Sequence, residues 1–202
     1  MQPSRFEVPI GVDAWLPQIE SVFEGIDRAY QQVAAACAFQ CTGCEDNCCR
    51  SHFYHHTFLE LILLREGFRQ LPDPQQAQMV RQAQRVCREV ESGAVKIFCP
   101  LNTGGICSLY HYRPMICRMH GVPHKLYHPA RGWLTGPGCD RFPAPEPGGD
   151  TPRFDRTPFY RRVARLEQEV KADLDLGGRI RMTVAEMVTH FPVPLSTLND
   201  PT

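Results

Sequence analysis

The cysteines of this chain carry its most specific chemical signal. Ten cysteines occur in 202 residues, and eight of them form two spaced blocks and one later position. These eight are Cys41, Cys44, Cys48, Cys49, Cys99, Cys107, Cys117 and Cys139. Cysteine thiolates are ligands of zinc and of iron–sulfur clusters. The pattern therefore predicts a metal site, with these eight residues as its candidate ligands.

The same cysteines would be interpreted as disulfides in a secreted protein, so the compartment matters. Residues 1–17 contain no basic stretch followed by an apolar core, which predicts that no secretory signal is present. The longest apolar stretch, residues 58–64, is interrupted by Glu60 and is far shorter than the ~20 residues of a membrane span. We therefore expect a cytoplasmic chain with no membrane contact, whose clustered thiols are reduced.

The charge of the chain gives little support for a nucleic-acid partner. Its 22 basic residues balance its 22 acidic residues, so no overall field attracts a polyanion. Local basic groups such as Arg161 and Arg162 are typical of solvated helix faces. We expect no nucleic acid as partner, whereas a protein partner stays open.

The spacing of the cysteines favours an iron–sulfur cluster over zinc. Cys41 and Cys44 form one Cys-x2-Cys knuckle, but a zinc ribbon normally has two. Iron–sulfur proteins often draw several ligands from one loop and one from far away, and proline can follow a ligand, as at Cys99-Pro100. Eight thiolates could fill two four-ligand sites, or one site with spares. Cations should offset their charge, and three arginines lie close in sequence: Arg50, Arg113 and Arg118.

Other residues near the cysteines have more ordinary interpretations. Cys87 lies on the apolar face of a predicted helix and is expected to pack in the core. Cys37 continues an apolar stripe, although it lies four residues before Cys41, so ligation stays open for it. Whether Cys48, Cys49 or both ligate also stays open, since neighbouring side chains diverge.

The histidines form two groups. His52, His55 and His56 follow the first cysteine block, where one of them could donate a hydrogen bond to a sulfur. His120, His124 and His128 are spaced by fours, but Gly121 and Pro123 interrupt the helix that would bring them together. Tyr110 and Tyr112 are expected to pack beside the site.

The motif that carries these cysteines resembles a known family. Cys41-Thr-Gly-Cys44, Cys48-Cys49-Arg50, and the block from Cys107-Ser-Leu-Tyr110 to Arg113-Pro-Met-Ile-Cys117-Arg118 resemble the CxxCxxCC family of zinc- or iron-chelating proteins, also called the YkgJ-type cysteine cluster family. The resemblance covers about half of the chain, from Cys41 to Cys139. It implies a small cysteine-rich metal domain. A related cluster in flagellin lysine methylases looks like an iron–sulfur site.

Two features depart from these relatives. Three residues separate Cys44 from Cys48, where the family usually has two. No glycine-rich loop after a strand is found for S-adenosylmethionine, so the methylase resemblance stops at the cysteines. The functional hypotheses are a metal-binding protein with a structural or electron-transfer cluster, a zinc-binding or metal-delivery module, and a cluster-dependent protein-modifying enzyme. Whether the chain is an enzyme stays open, and no catalytic residue is assigned.

The elements that must position these residues are mostly helical. Apolar spacing predicts helices over residues 15–37 and 57–69, a third from Asp73, and others from Thr157 to Gly177 and from Thr183. Residues 94–150 show no sustained period and predict loops and short helical turns. We therefore expect a mainly α fold in which helices scaffold an irregular cysteine-rich metal-binding lobe. One domain would cover 1–202, with the cysteine-cluster region at 37–140 and flanking helices at 12–36 and 157–190.

Overall fold

The computed structural model describes residues 9–41, 48–50, 53–94, 97–143 and 151–193. These residues form a mainly α fold, as predicted. The α-helices within the described ranges are α1 (Leu16–Ala36), α2 (Phe58–Arg69), α3 (Asp73–Glu91), α4 (Met115–Met119), α5 (Thr157–Asp173) and α6 (Val184–Thr189). None of these helices is both long enough and apolar enough to cross a membrane.

Short strands complete the described part of the chain. β1 (Asn102–Thr103) and β2 (Ile106–Cys107) form an antiparallel pair. β3 (His124–His128) pairs antiparallel with β4 (Gly132–Gly136) and parallel with β5 (Phe154–Asp155). Single 3₁₀ turns occupy Val12–Trp15, Cys48–Arg50 and Tyr110–Tyr112. Most of this irregular structure lies between α3 and α5, where the second cysteine block is located.

Helix α1 packs against helices from several parts of the chain. Its apolar face buries Ile19, Val22, Phe23 and Ile26, as the helical spacing predicts. It packs against α2, α4 and α5, while α3 packs against α6. Because α1 runs towards Cys41 and also touches α4, it brings the two cysteine blocks towards each other.

The start of α2 is fixed by several hydrogen bonds. Thr57 and Glu60 form a capping box, in which each side chain bonds the backbone of the other residue. Glu167 of α5 adds a second carboxylate, which accepts hydrogen bonds from the backbone N–H groups of Phe58 (3.0 Å) and Leu59 (3.2 Å). Two carboxylates thus satisfy amides that have no partner within the helix. The helix predicted from Thr183 is confirmed as α6, where Thr183 and Glu186 form another capping box.

Two predicted elements differ from the structure. Helix α5 ends at Asp173, with Leu174 as its C-cap, rather than at Gly177. Residues 124–136 form a β-hairpin where loops and helical turns were predicted, so that part of the prediction was wrong. The hairpin lacks a buried face, since Tyr127, Trp133 and Leu134 are all exposed. Without an inward and an outward face, its sequence has no alternating pattern to reveal it.

Candidate metal centre

Six of the eight predicted ligands line one cavity. The cavity has a volume of about 320 Å³ and also touches α1, α4 and the start of α6. The six cysteines are Cys41, Cys49, Cys99, Cys107, Cys117 and Cys139. Cys44 lies outside the described residues, and so does the side chain of Cys48. The structure therefore brings both cysteine blocks and the later cysteine to the same space.

Backbone contacts explain how four of these thiols reach the cavity. The N–H of Cys99 donates to the carbonyl of Cys49 over 2.7 Å, which joins the first cysteine block to the second. Cys107 lies on β2, opposite Asn102 of β1, so the tight β1–β2 pair returns it towards Cys99. Cys117 lies in the middle of α4. We call Cys49, Cys99, Cys107 and Cys117 the four-thiol group.

The members of the four-thiol group influence one another electrostatically. The pKa of Cys107 is raised to about 11, chiefly by burial and with a smaller contribution from a thiolate at Cys49. Burial also raises the pKa values of Cys99 and Cys117, with added repulsion from the other members of the group. Without metal, Cys99, Cys107 and Cys117 would therefore hold their protons at neutral pH.

Cys41 and Cys139 lie at another part of the cavity, beside Tyr30 of α1. The N–H of Cys139 donates to the carbonyl of Gly121 over 3.0 Å. A Cβ atom at Gly121 would lie 2.6 Å from the hydroxyl of Tyr30, so a larger residue would not fit there. Burial raises the pKa of Tyr30, and thiolates at Cys41 and Cys139 add to the shift. The phenol of Tyr30 is thus neutral and close to both thiols.

Two predicted cations do lie beside the four-thiol group, and they share a partner that sequence reasoning missed. Arg113 is 7% exposed and Arg118 is 3% exposed. Nη2 of Arg113 lies 3.1 Å from Oδ1 of Asp27, and Nη1 of Arg118 donates to Oδ2 of the same carboxylate. Asp27 belongs to α1 and follows the buried Phe23 by four residues. Its place beside the apolar face of a predicted helix was the sequence signal that could have identified it as a partner of the arginines.

The same arginines are also held by backbone carbonyls. Arg113 donates to the carbonyl of Tyr110 over 2.9 Å, and Arg118 donates to those of Arg113 (2.8 Å) and His111. Both positive charges lower the pKa of Cys107. Arg113 and Arg118 are therefore a fixed pair of cations that acts on the thiols of Cys107 and Cys117. The third predicted cation, Arg50, lies over the ring of Phe98.

The other two cysteines and the two tyrosines named from the sequence differ in where they lie relative to the cavity. Cys87 packs against the hydrophobic core, as predicted. Cys37 is the C-cap residue of α1 and does not belong to the lining of the cavity. Tyr110 lines the cavity, and Tyr112 packs over Gly67 while its hydroxyl donates to Gln70 over 2.8 Å.

The histidines were only partly understood from the sequence. His124 and His128 lie on β3, which confirms that no helix brings the second group together. His120 lines the cavity, with its ring 5.9 Å from that of Phe53. His55 also lines the cavity and is buried against Glu60. His52 lies outside the described residues.

The donor set suits a metal in its chemistry, although its side chains are not gathered around one point. Within the described ranges, no three His, Cys, Asp or Glu side chains are grouped closely enough to hold a metal ion. Thiolate sulfur is nevertheless the preferred donor for zinc and for iron–sulfur clusters, and six thiols share this cavity. Metal binding would draw side chains inward from the cavity wall, as expected where binding and local folding are coupled.

Comparison with known proteins adds no assignment. No family model, curated protein or solved structure matches this chain. The resemblance to the CxxCxxCC family therefore stays a prediction from the cysteine motif.

Proposed function

We propose that this chain is a metal-binding protein whose cysteine-rich lobe holds an iron–sulfur cluster, with a structural or electron-transfer role. A 4Fe–4S cluster is favoured over zinc. The observation that carries the proposal is the shared cavity, which is lined by cysteines from three separate parts of the sequence. The four-thiol group supplies the first four ligands, and its members are near enough to repel one another as thiolates.

The electrostatics of the cavity support a bound cation. Burial keeps Cys99 and Cys117 protonated in the metal-free chain, because a desolvated thiolate is unfavourable. A metal replaces the protons with positive charge, so binding should release protons into solution. The arginine pair at Cys117 offsets the negative charge that remains on a cluster with four thiolates.

The spacing of the cysteines and the motif resemblance support the same proposal. The single Cys-x2-Cys knuckle and the Cys99-Pro100 step favour an iron–sulfur cluster over a zinc ribbon. A cytoplasmic location would keep the thiols reduced and available. The mainly α scaffold would then position the ligands from outside the lobe.

The first test is anaerobic purification, followed by a visible spectrum and by analysis of iron, zinc and acid-labile sulfide in the same sample. Brown protein with iron matched by sulfide is the expected result. Colourless protein with stoichiometric zinc would overturn the choice of metal, and protein without either metal would overturn the proposal.

Substitutions assign the ligands. Cys107→Ser and Cys117→Ser should each lose most of the bound metal, because each removes a sulfur from the four-thiol group. Cys87→Ser is the matched control, since Cys87 packs against the core and is not part of the cavity lining, and it should keep the metal content of the unmodified protein. Equal metal content in all three variants would contradict the assignment.

A further inference from the structure

His55 is a buried imidazole at the wall of the thiol cavity. It is 2% exposed and belongs to the lining of the cavity. Its backbone is fixed on both sides by an antiparallel bridge: N–H of His55 donates to Met182 over 2.7 Å, and its carbonyl accepts from Met182 over 3.0 Å. The ring therefore has a defined position at a place that solvent hardly reaches.

The side chain of Glu60 determines which ring nitrogen carries the proton. Nδ1 of His55 lies 3.2 Å from Oε1 of Glu60, which also accepts from the N–H of Met115 over 3.1 Å. Oε2 of the same carboxylate accepts from the N–H groups of His56 (3.3 Å) and Thr57 (3.3 Å) and from the hydroxyl of Thr57 (2.8 Å). Because these contacts all come from donors, the carboxylate acts as an acceptor, and Nδ1 donates to it.

This arrangement leaves Nε2 of the neutral ring as an unprotonated nitrogen. Across the described residues, the contact at Nδ1 is the side-chain hydrogen bond that His55 makes. The neutral ring then has no N–H left to donate to a sulfur, which was the role that the sequence suggested for this group of histidines. The lone pair of Nε2 can instead bind a cation.

His55 lies at the same cavity as the four-thiol group, since it lines that cavity together with all four of its cysteines. Glu60 also holds the first amide of α4, the helix that carries Cys117. One carboxylate therefore contacts both the imidazole and the helix of a predicted thiolate ligand.

We propose that His55 is a nitrogen ligand of the metal, with Nε2 as the ligating atom and Glu60 as the carboxylate that orients the ring. The proposal rests on the metal-binding function proposed above. Metal-ligating histidines commonly donate their other ring N–H to a carboxylate, which fixes the tautomer and the ring orientation. Mixed sets of thiolate and imidazole ligands occur at zinc sites and at some iron–sulfur centres.

The test uses Co²⁺ as the probe, added to the full-length, metal-free protein under anaerobic conditions. Thiolate ligation produces a sulfur-to-cobalt charge-transfer band, which tests the proposed function by itself. Imidazole ligation produces a strongly shifted, exchangeable N–H signal in the proton NMR spectrum, which tests the role of His55. We expect both signals in the unmodified protein. A charge-transfer band without the shifted signal would overturn the histidine ligand, whereas absence of the band would overturn the proposed function.

Variants assign the signal to one ring. His55→Ala should lose the shifted signal and bind Co²⁺ at least about tenfold more weakly, while His56→Ala, at the exposed neighbouring position, should keep both. His120→Ala should also keep the signal, and this variant decides the question even if His55→Ala does not fold. Loss of the signal in His120→Ala, or its survival in folded His55→Ala, would overturn the assignment.

Discussion

Replacing Asp27 with asparagine removes the charge that the structure places between two buried guanidinium groups. The side chain of Asp27 is 26% exposed, whereas those of Arg113 and Arg118 are 9% and 3% exposed. Removing one partner of a buried ion pair typically costs 3–5 kcal/mol, because it leaves an uncompensated charge. Partial exposure of Asp27 and the remaining amide oxygen place Asp27→Asn near the lower end, at about 3 kcal/mol. For a chain of this size, that corresponds to a melting temperature lower by about 6–12 °C.

The assay is urea unfolding of the metal-free protein, with the midpoint and slope measured for each variant. Glu24→Gln is the matched control, since Glu24 lies three residues earlier on α1 and pairs with Arg28 at the surface, where both side chains are about two-thirds exposed. Exposed pairs of this kind contribute less than about 1 kcal/mol. If Asp27→Asn costs no more than Glu24→Gln, the two arginines do not depend on this carboxylate, and the reasoning fails.

Two further predictions concern packing and pH. Gly67→Ala should destabilise the protein by about 1–3 kcal/mol, because a Cβ at Gly67 would overlap the ring of Tyr112. Glu66→Ala is its control. Equal melting temperatures for the two variants would contradict the overlap. The metal-free protein should lose stability as pH rises from 9 to about 11, because an ordinary cysteine ionises near pH 9 in the unfolded chain, whereas burial raises the pKa of Cys107 to about 11 in the folded chain. Urea midpoints across this range should fall less steeply in Cys107→Ala, and equally steep falls in both proteins would contradict the prediction.

The helices could be predicted from sequence because their signals are local. The capping pairs at Thr57 and Thr183 mark the starts of α2 and α6 within one or two residues, and the apolar stripe of α1 identifies its buried face. The end of α5 was misplaced because Leu174 continues the apolar stripe after the helix has stopped at Asp173. The β3–β4 hairpin was missed because its exposed aromatic side chains follow no burial pattern.

The candidate site was predictable in its residue types but not in its partners. Cysteine spacing identified residues that line one cavity, although their convergence depends on contacts between distant parts of the chain, such as the backbone bond from Cys99 to Cys49. Asp27 has no motif of its own, and the capping box that contains Glu60 does not reveal its contact with Met115. Each acts through a long-range contact, 91 residues away for Asp27 with Arg118 and 55 for Glu60 with Met115. No local rule connects positions so far apart.

The separation between Asp27 and Arg118 also affects how the protein is made. A ribosome must add 91 residues after Asp27 before its second arginine partner exists. At ~5–20 residues per second, this takes roughly 5–20 s. During that time α1 can form as a helix, but its carboxylate has no buried cation to meet, and Cys41 and Cys49 have emerged without Cys117. Assembly of the cysteine lobe therefore waits until Cys117 and Arg118 have been synthesised, and until then Cys41 and Cys49 lack the partners that later surround them.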